Sequence, residues 1–158
     1  MVDGDHVLFE RSAICIYICE FEAGLTFIPP LGHPNHPLFF QWLAYLNNTL
    51  QAEYMLWRYA RNHATAADNI EDIKAAQTPR LAGFLTLLDR ELEDKRFLLG
   101  EEISGADHFL FMMGLWCENA PKPISSFANL LRSMREISQR PSVQNVCEIE
   151  RIDLSRYA

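Results

Sequence analysis

Between residues 38 and 149, apolar side chains return every three or four positions, the period of helices that bury one face. Phe39, Trp42/Leu43, Leu46, Leu50, Tyr54 and Trp57 form the first stripe. It predicts one long amphipathic helix over about 37 to 62, with Pro37 in its first turn. A second stripe (Ile70, Ile73, Leu81, Phe84, Leu88 and Leu92) predicts helix over about 67 to 94. Pro79 follows Thr78 inside it, and Thr-Pro suits an N-cap and first residue, so the helix either kinks or restarts there. Gly100 closes a segment, and Ser104 to Asp107 open the next. Ser-x-x-Asp before an apolar run resembles a capping box. Phe109 to Trp116 is apolar nearly all round, which predicts the central buried helix. Pro121 and Pro123 break it. Phe127, Leu130/Leu131, Met134 and Ile137 mark another helix, and Pro141 starts a last one with Val143, Val146 and Ile149.

The first 37 residues carry a different pattern. Residues 1–3 and 7–9 are apolar-rich and flank Asp3-Gly4-Asp5, a hairpin signal. Residues 11–21 hold Ala13, Ile14, Ile16, Tyr17, Ile18 and Phe21; they read as helix with Gly24 as the stop, although the isoleucines also suit a strand. Residues 26–37, TFIPPLGHPNHP, have four prolines in twelve positions and form neither helix nor central strand. The expected fold is therefore mainly α: a bundle of five or six helices over 38–158, preceded by a β-hairpin and one helix over 1–25 and joined through a proline-rich linker at 26–37.

Composition narrows the chemistry. The chain has 158 residues, 49% hydrophobic and 22% charged, which places it among globular proteins. A net charge of −7 disfavours nucleic acid as a partner, since phosphate binding needs a basic face. No apolar run approaches the ~18–20 residues of a membrane span. Asp3 and Asp5 stand where a signal peptide would carry positive charge. Cys15, Cys19, Cys117 and Cys147 are too sparse for a secreted disulfide scaffold, so reduced thiols in a cytoplasmic protein are expected. The absence of CxxC, and of a third ligand beside His33 and His36, leaves no metal site expected.

Several stretches in this order resemble the glutathione S-transferase family over nearly the whole chain. VDGDHVLFERSAICIYI (2–18) resembles the last two strands and last helix of the family's thioredoxin-like domain, where Asp-Gly, a short strand and Glu/Gln-Ser-x-Ala-Ile usually follow one another. FLLGEEISGADHFLF resembles the family's Leu-Gly-x-x-x-Ser-x-Ala-Asp segment. QRPSVQ and WLAYLNNTLQ resemble the start of a late helix and the first long helix of the family's helical domain. The resemblance implies that residues 1–25 are a partial thioredoxin-like segment on the glutathione side. It implies that 38–158 form the all-helical C-terminal domain. It also implies a strand–helix–strand–helix unit, with the residue that activates the glutathione sulfur, ahead of residue 1. The chain is thus expected to be an N-terminally truncated relative that carries no catalytic residue of its own.

By the same resemblance, Glu10, Arg11 and Ser12 fall where family members hold the γ-glutamyl end of glutathione, the candidate co-substrate. Position 11 is Arg where the family has Ser, and Ser12 comes one place late. Arg11 either takes the ligand carboxylate through its guanidinium fork or is a solvated side chain. Tyr45 and Asn48, near the middle of the long helix, are the candidates for the hydrophobic-substrate wall, and are equally compatible with packing or a subunit interface. Ser104 and Asp107 are expected to be structural, capping the central helix; His108 stands where the family has an aliphatic residue, which weakens a staple with Ile103. The family reaction is conjugation of glutathione sulfur to an electrophile, and relatives form homodimers. The alternatives are a non-catalytic helical interaction module and a truncated gene product.

Overall fold

In the computed structural model, residues 1–21, 27–66 and 69–157 are described; Gly24, the expected helix stop, lies outside them. Strands β1 (Val2–Asp3) and β2 (His6–Val7) pair antiparallel, Val2 opposite Val7 and Asp3 opposite His6. The two-residue turn is Gly4-Asp5, one place later than an Asp-Gly turn, and Gly4 takes φ +54° where a side chain would be strained. Both strands are exposed on both faces, so little apolar burial holds the hairpin. It is tied at its ends by Leu8 N–H to the Met1 carbonyl at 3.0 Å, and to the next helix by the Tyr17 hydroxyl on Asp3 Oδ2 at 2.7 Å. That helix, α1, runs Arg11–Phe21.

The expected long helix is a rod with a flaw in it. α2 (His36–Ala44) passes into a π-helical turn (Tyr45–Leu50) and then α3 (Gln51–Arg58), with helical backbone angles at both joins. The Gln51 N–H reaches back to the Leu46 carbonyl, five residues away. The cause is visible in the stripe itself. Leu46, Leu50 and Tyr54, all buried, follow one another at four-residue steps, and each such step overshoots a 3.6-residue turn by about 40°. One wide turn over Asn47, Asn48 and Thr49, weak helix formers, lets the stripe keep facing the core. The rod stops at Tyr59 (φ −114°, ψ 37°), sooner than expected, and a 3₁₀ turn (Ala60–His63) follows.

α4 runs unbroken from Asn69 to Glu91 with Pro79 inside it, so there is no restart at Thr78. The Thr78 hydroxyl is not a cap; it donates to the Lys74 carbonyl one turn back at 2.8 Å. Pro79 and Ala75, whose carbonyl loses its partner, are both exposed, where water meets the deficit. α5 (Gly105–Cys117) is the central helix, with Phe109, Leu110, Phe111 and Met113 buried in one core with Phe39, Leu43, Leu85, Leu88 and Met134. α6 (Ala128–Ser138) and α7 (Pro141–Ile149) complete the bundle. Among the described residues no helix is long and apolar enough to cross a membrane.

α4 and α6 cap one another. Asp89 Oδ1 accepts from the Asn129 and Leu130 amides at 2.8 and 3.0 Å, donors in the first turn of α6. In return Arg132 donates to the Leu92 and Lys95 carbonyls just past α4. Asp89→Ala is expected to cost about 1–2 kcal/mol, the upper range for a lost cap, because two donors lose one acceptor. A urea titration should show a lower midpoint with an unchanged slope.

Two glycines set the helix spacing around α5. A side chain at Gly114 would lie 2.5 Å from Met134 Cε, where α6 crosses. One at Gly105 would lie 2.5 Å from Cys19 Sγ and 3.4 Å from Phe39, where α1 and α2 meet the start of α5. The Gly105 amide also donates to the Phe27 carbonyl at 2.8 Å, which brings the linker to the same point.

Candidate functional site

The start of α1 concentrates the candidate binding chemistry. Glu10 precedes the helix and its carbonyl accepts the first intrahelical bond, from Ile14 N–H at 3.0 Å. Its φ is +70°, a left-handed conformation in a residue with a long side chain. Holding a non-glycine residue there costs roughly 1–3 kcal/mol, and such strain concentrates at binding sites. Arg11 and Ser12 open the helix, where the first amides have no intrahelical acceptor and carry partial positive charge. The first turn holds no acidic side chain of its own, so an external carboxylate is its electrostatic complement.

Arg11 is exposed, yet its guanidinium is not merely solvated: Cζ sits 5.0 Å from the Trp116 ring centroid on α5. This cation–π contact draws the fork across the α1–α5 seam and leaves its edges available. Trp116 continues into a short aromatic run, 6.2 Å from Tyr54, which is 6.0 Å from Trp57. Beyond it lies a cavity of about 340 Å³ lined by Trp57, Arg58, Lys74 and Asn119. Asn119 Nδ2 donates to the Trp116 carbonyl, so the cavity wall and the ring under Arg11 are joined. Trp116 thus connects Arg11 to the wall of this cavity. Trp116 was legible only as part of an apolar stripe; nothing in the sequence paired it with Arg11.

Tyr45 and Asn48 stand elsewhere. The Tyr45 hydroxyl donates to the Phe84 carbonyl at 3.3 Å, and its ring lies edge-on to Trp42 and Phe84. Burial pushes its phenol up to about 12. It serves the seam between the rod and α4, whereas Arg11 faces α5. Asn48 is exposed on the π-helical turn and accepts from Asn47 Nδ2 at 2.6 Å.

Ser104 and Asp107 form a capping box. Asp107 Oδ2 accepts from the Ser104 amide at 2.8 Å and the Ser104 hydroxyl at 2.6 Å. Oδ1 accepts from the Leu98 amide at 2.8 Å, pinning the tight turn of residues 97–100 in which Gly100 has φ +116°. Both residues are buried, which pushes the Asp107 carboxyl above its usual range, while the Ser104 and Leu98 bonds oppose that rise. His108 is hydrogen-bonded, its Nδ1 at 2.9 Å from the Ser104 carbonyl, and its ring meets Phe27 edge-on at 5.0 Å.

His33 and His36 hold the linker. The His33 ring accepts from the Asn35 amide at 3.0 Å, and His36 Nδ1 donates to the Pro29 carbonyl at 2.6 Å. A cavity of about 700 Å³ lies beside them, walled by Ile28, Pro29, Pro30, Leu99 and Ile103. It touches none of Glu10, Arg11 and Ser12. Among the described residues no group of three or more His, Cys, Asp or Glu side chains is placed to hold a metal.

Comparison with known proteins bears on the fold. Residues 71–148 match the family model described as the C-terminal domain of glutathione S-transferase. The glutathione S-transferase GstA of Escherichia coli O157:H7 is 21% identical over 151 residues, spanning 95% of this chain and 71% of the relative. The beta-class glutathione S-transferase of Sphingomonas chungbukensis superposes with a TM-score of 0.82 at 26% identity, covering 96% of this chain and 72% of that one. A glutathione transferase homologue from Sulfitobacter, solved with bound glutathione, superposes with a TM-score of 0.84 at 19% identity, covering 94% and 71%.

Proposed function

From the premise that the chain belongs to the glutathione S-transferase family through its C-terminal helical domain, we propose that Glu10, Arg11 and Ser12 bind the γ-glutamyl end of glutathione. In this reading residues 1–25 are the glutathione-side segment, 26–37 the linker, and 38–158 the helical domain. Glu10 takes the ligand ammonium. Ser12 and the first amides of α1 take the carboxylate, with the Arg11 fork beside them. The observation that carries the reading is the strained Glu10, φ +70°, at the mouth of a helix whose first turn has no acid of its own.

Affinity and catalysis are separate matters. Charge-assisted hydrogen bonds contribute about 1.5–3 kcal/mol each, and a millimolar constant corresponds to about 4 kcal/mol. Two such contacts on an exposed helix end therefore support binding in the millimolar range. Conjugation further needs a donor that lowers the glutathione thiol pKa. Tyr45, already donating to a backbone carbonyl, is not free for that task. The polypeptide of these 158 residues is accordingly expected to bind glutathione without turning over a chloro-dinitro-aromatic electrophile above background.

Isothermal titration with glutathione tests the site. The expected result is millimolar binding that weakens about 10-fold or more in Glu10→Ala, since one lost contact of 1.4 kcal/mol is tenfold. Glutathione binding unchanged in both Glu10→Ala and Ser12→Ala would remove the assignment, and turnover well above background would remove the inactivity. A second reading, an interaction module, is favoured by the hairpin end: Val2, Val7, Phe9 and Phe21 are all more than two-thirds exposed. Light scattering across a concentration series distinguishes it, because that surface would drive self-association that Val7→Lys suppresses.

A further inference from the structure

We propose that Cys15 and Cys19 form a dithiol site for a soft, thiophilic trivalent centre, of which a trivalent organoarsenical is the chemical type. The two residues sit four apart on α1, on one face of the helix. Both sulfurs converge on Gly105 at the start of α5: Cys15 Sγ lies 3.8 Å from the Gly105 carbonyl oxygen, and Cys19 Sγ packs where a side chain at Gly105 would be. Both thiols are free. Cys15 is partly exposed and Cys19 buried, so an incoming reagent meets Cys15 first and Cys19 closes the ring. The electrostatics run the same way. A hydrogen bond from the Cys19 thiol lowers the Cys15 pKa, and the same pairing raises that of Cys19.

Geometry decides between the reactions open to such a pair. Cβ atoms four apart on a helix are about 5–6 Å from one another, whereas a disulfide needs roughly 3.5–4.5 Å. A direct disulfide would have to unwind α1. A single bridging atom spans the gap with α1 still helical, α1 easing off Gly105 to admit it. A zinc ion would want four ligands, and no third His, Cys, Asp or Glu joins this pair among the described residues. A trivalent arsenic that keeps one organic substituent needs only two thiolates. Condensation of R–As(OH)₂ with the two thiols forms two As–S bonds, breaks two As–O bonds and releases two waters, with no change of oxidation state. The product is neutral, which suits a seam where Phe39 and the glycine that opens α5 lie against the two sulfurs.

Cys117 and Cys147 supply the internal control. Both are buried, and burial pushes Cys117 up to about 12 and raises Cys147 as well. Neither has a partner thiol within its own helix.

The test uses the whole chain and phenylarsine oxide. Native mass spectrometry should show one phenylarsenic unit per chain, with two fewer thiols open to alkylation after denaturation. Peptide mapping should place the unit on the peptide holding Cys15 and Cys19. The adduct should survive excess 2-mercaptoethanol and be stripped by a dithiol. Cys15→Ser and Cys19→Ser should each weaken retention by ~10²-fold or more, the usual gain from joining two contacts. An adduct mapped to Cys117 or Cys147, no adduct at all, or equal retention in folded Cys15→Ser would overturn the proposal. Mapping on the unmutated chain keeps the test decisive if either variant fails to fold.

Discussion

Asp107→Asn should lower the midpoint of thermal unfolding by roughly 10 °C. The carboxylate holds three donors at once: the Ser104 amide, the Ser104 hydroxyl and the Leu98 amide. An asparagine has the same shape, but only one of its two polar atoms accepts. If its oxygen serves Ser104, its amide faces the Leu98 N–H, and two donors confront each other in a buried site. Turning it over transfers the conflict to Ser104. A buried donor left without an acceptor costs about 1–3 kcal/mol, and the weakened cap adds about 1 kcal/mol. A total near 3 kcal/mol, at about 2–4 °C per kcal/mol for a chain of this size, gives the predicted shift. Ser104→Ala removes a hydroxyl that donates to Asp107, while both amides keep their acceptor. It should cost only about 1 kcal/mol. Scanning calorimetry on the two variants would contradict the account if Ser104→Ala proved the more damaging. The larger effect belongs to Asp107 because it also fixes the 97–100 turn to the head of the central helix.

That capping box was legible in the sequence because Ser-x-x-Asp is a local signal: every group it needs lies within four residues. The hairpin, α1, the proline linker and the central helix were legible for the same reason, each being announced by turn residues, period or prolines close at hand. The π-helical turn was not. Its stripe of four-residue steps reads as ordinary helix unless the accumulated 40° overshoots are followed to Tyr54. Pro79 misled in the opposite direction. Its local cost is about 3 kcal/mol in an isolated helix, but tertiary packing of Leu81, Leu85 and Leu88 outweighs it, and the exposed side of α4 lets water take the orphaned carbonyl.

Non-local partners left no trace in the sequence. Asp89 caps α6 from α4, and Arg132 answers it across the same crossing. Arg11 finds Trp116 across the α1–α5 seam. These contacts depend on how helices meet, which no window of residues encodes. The candidate glutathione residues were named from resemblance, and their helix-start position follows from chain order. The left-handed backbone of Glu10 did not, since nothing in Phe-Glu-Arg-Ser demands it. Tyr45 was a candidate for the substrate wall by resemblance, and for packing or a subunit interface equally; its direction, toward α4 and the Phe84 carbonyl, depends on the phase of the rod at the π-helical turn.

Gly105→Ala should detach α1, and with it the candidate binding residues, from the bundle. The new methyl would sit 2.5 Å from Cys19 Sγ, well inside any real contact, with Cys15 Sγ and Phe39 at 3.4 Å on other sides. Cys19 is buried and has one rotatable bond, so it cannot fold away as a methionine might. The helix itself must move. Overpacking of this kind costs about 1–3 kcal/mol, and α1 is the element that yields, because among the described residues a two-residue-strand hairpin and its seam with the bundle hold it. Hydrogen exchange should therefore quicken in residues 11–21 by about 10-fold or more, at 1.4 kcal/mol per factor of ten, while the amides of α5 and α6 hold nearly their original protection. The double variant Gly105→Ala/Cys19→Ala removes the atom that the methyl strikes. It should recover at least 1 kcal/mol over the sum of the single changes, a coupling of the size seen between residues in direct contact. Strict additivity would mean that Cys19 is not what holds Gly105 to a glycine, and that α1 rests on the bundle by some other contact.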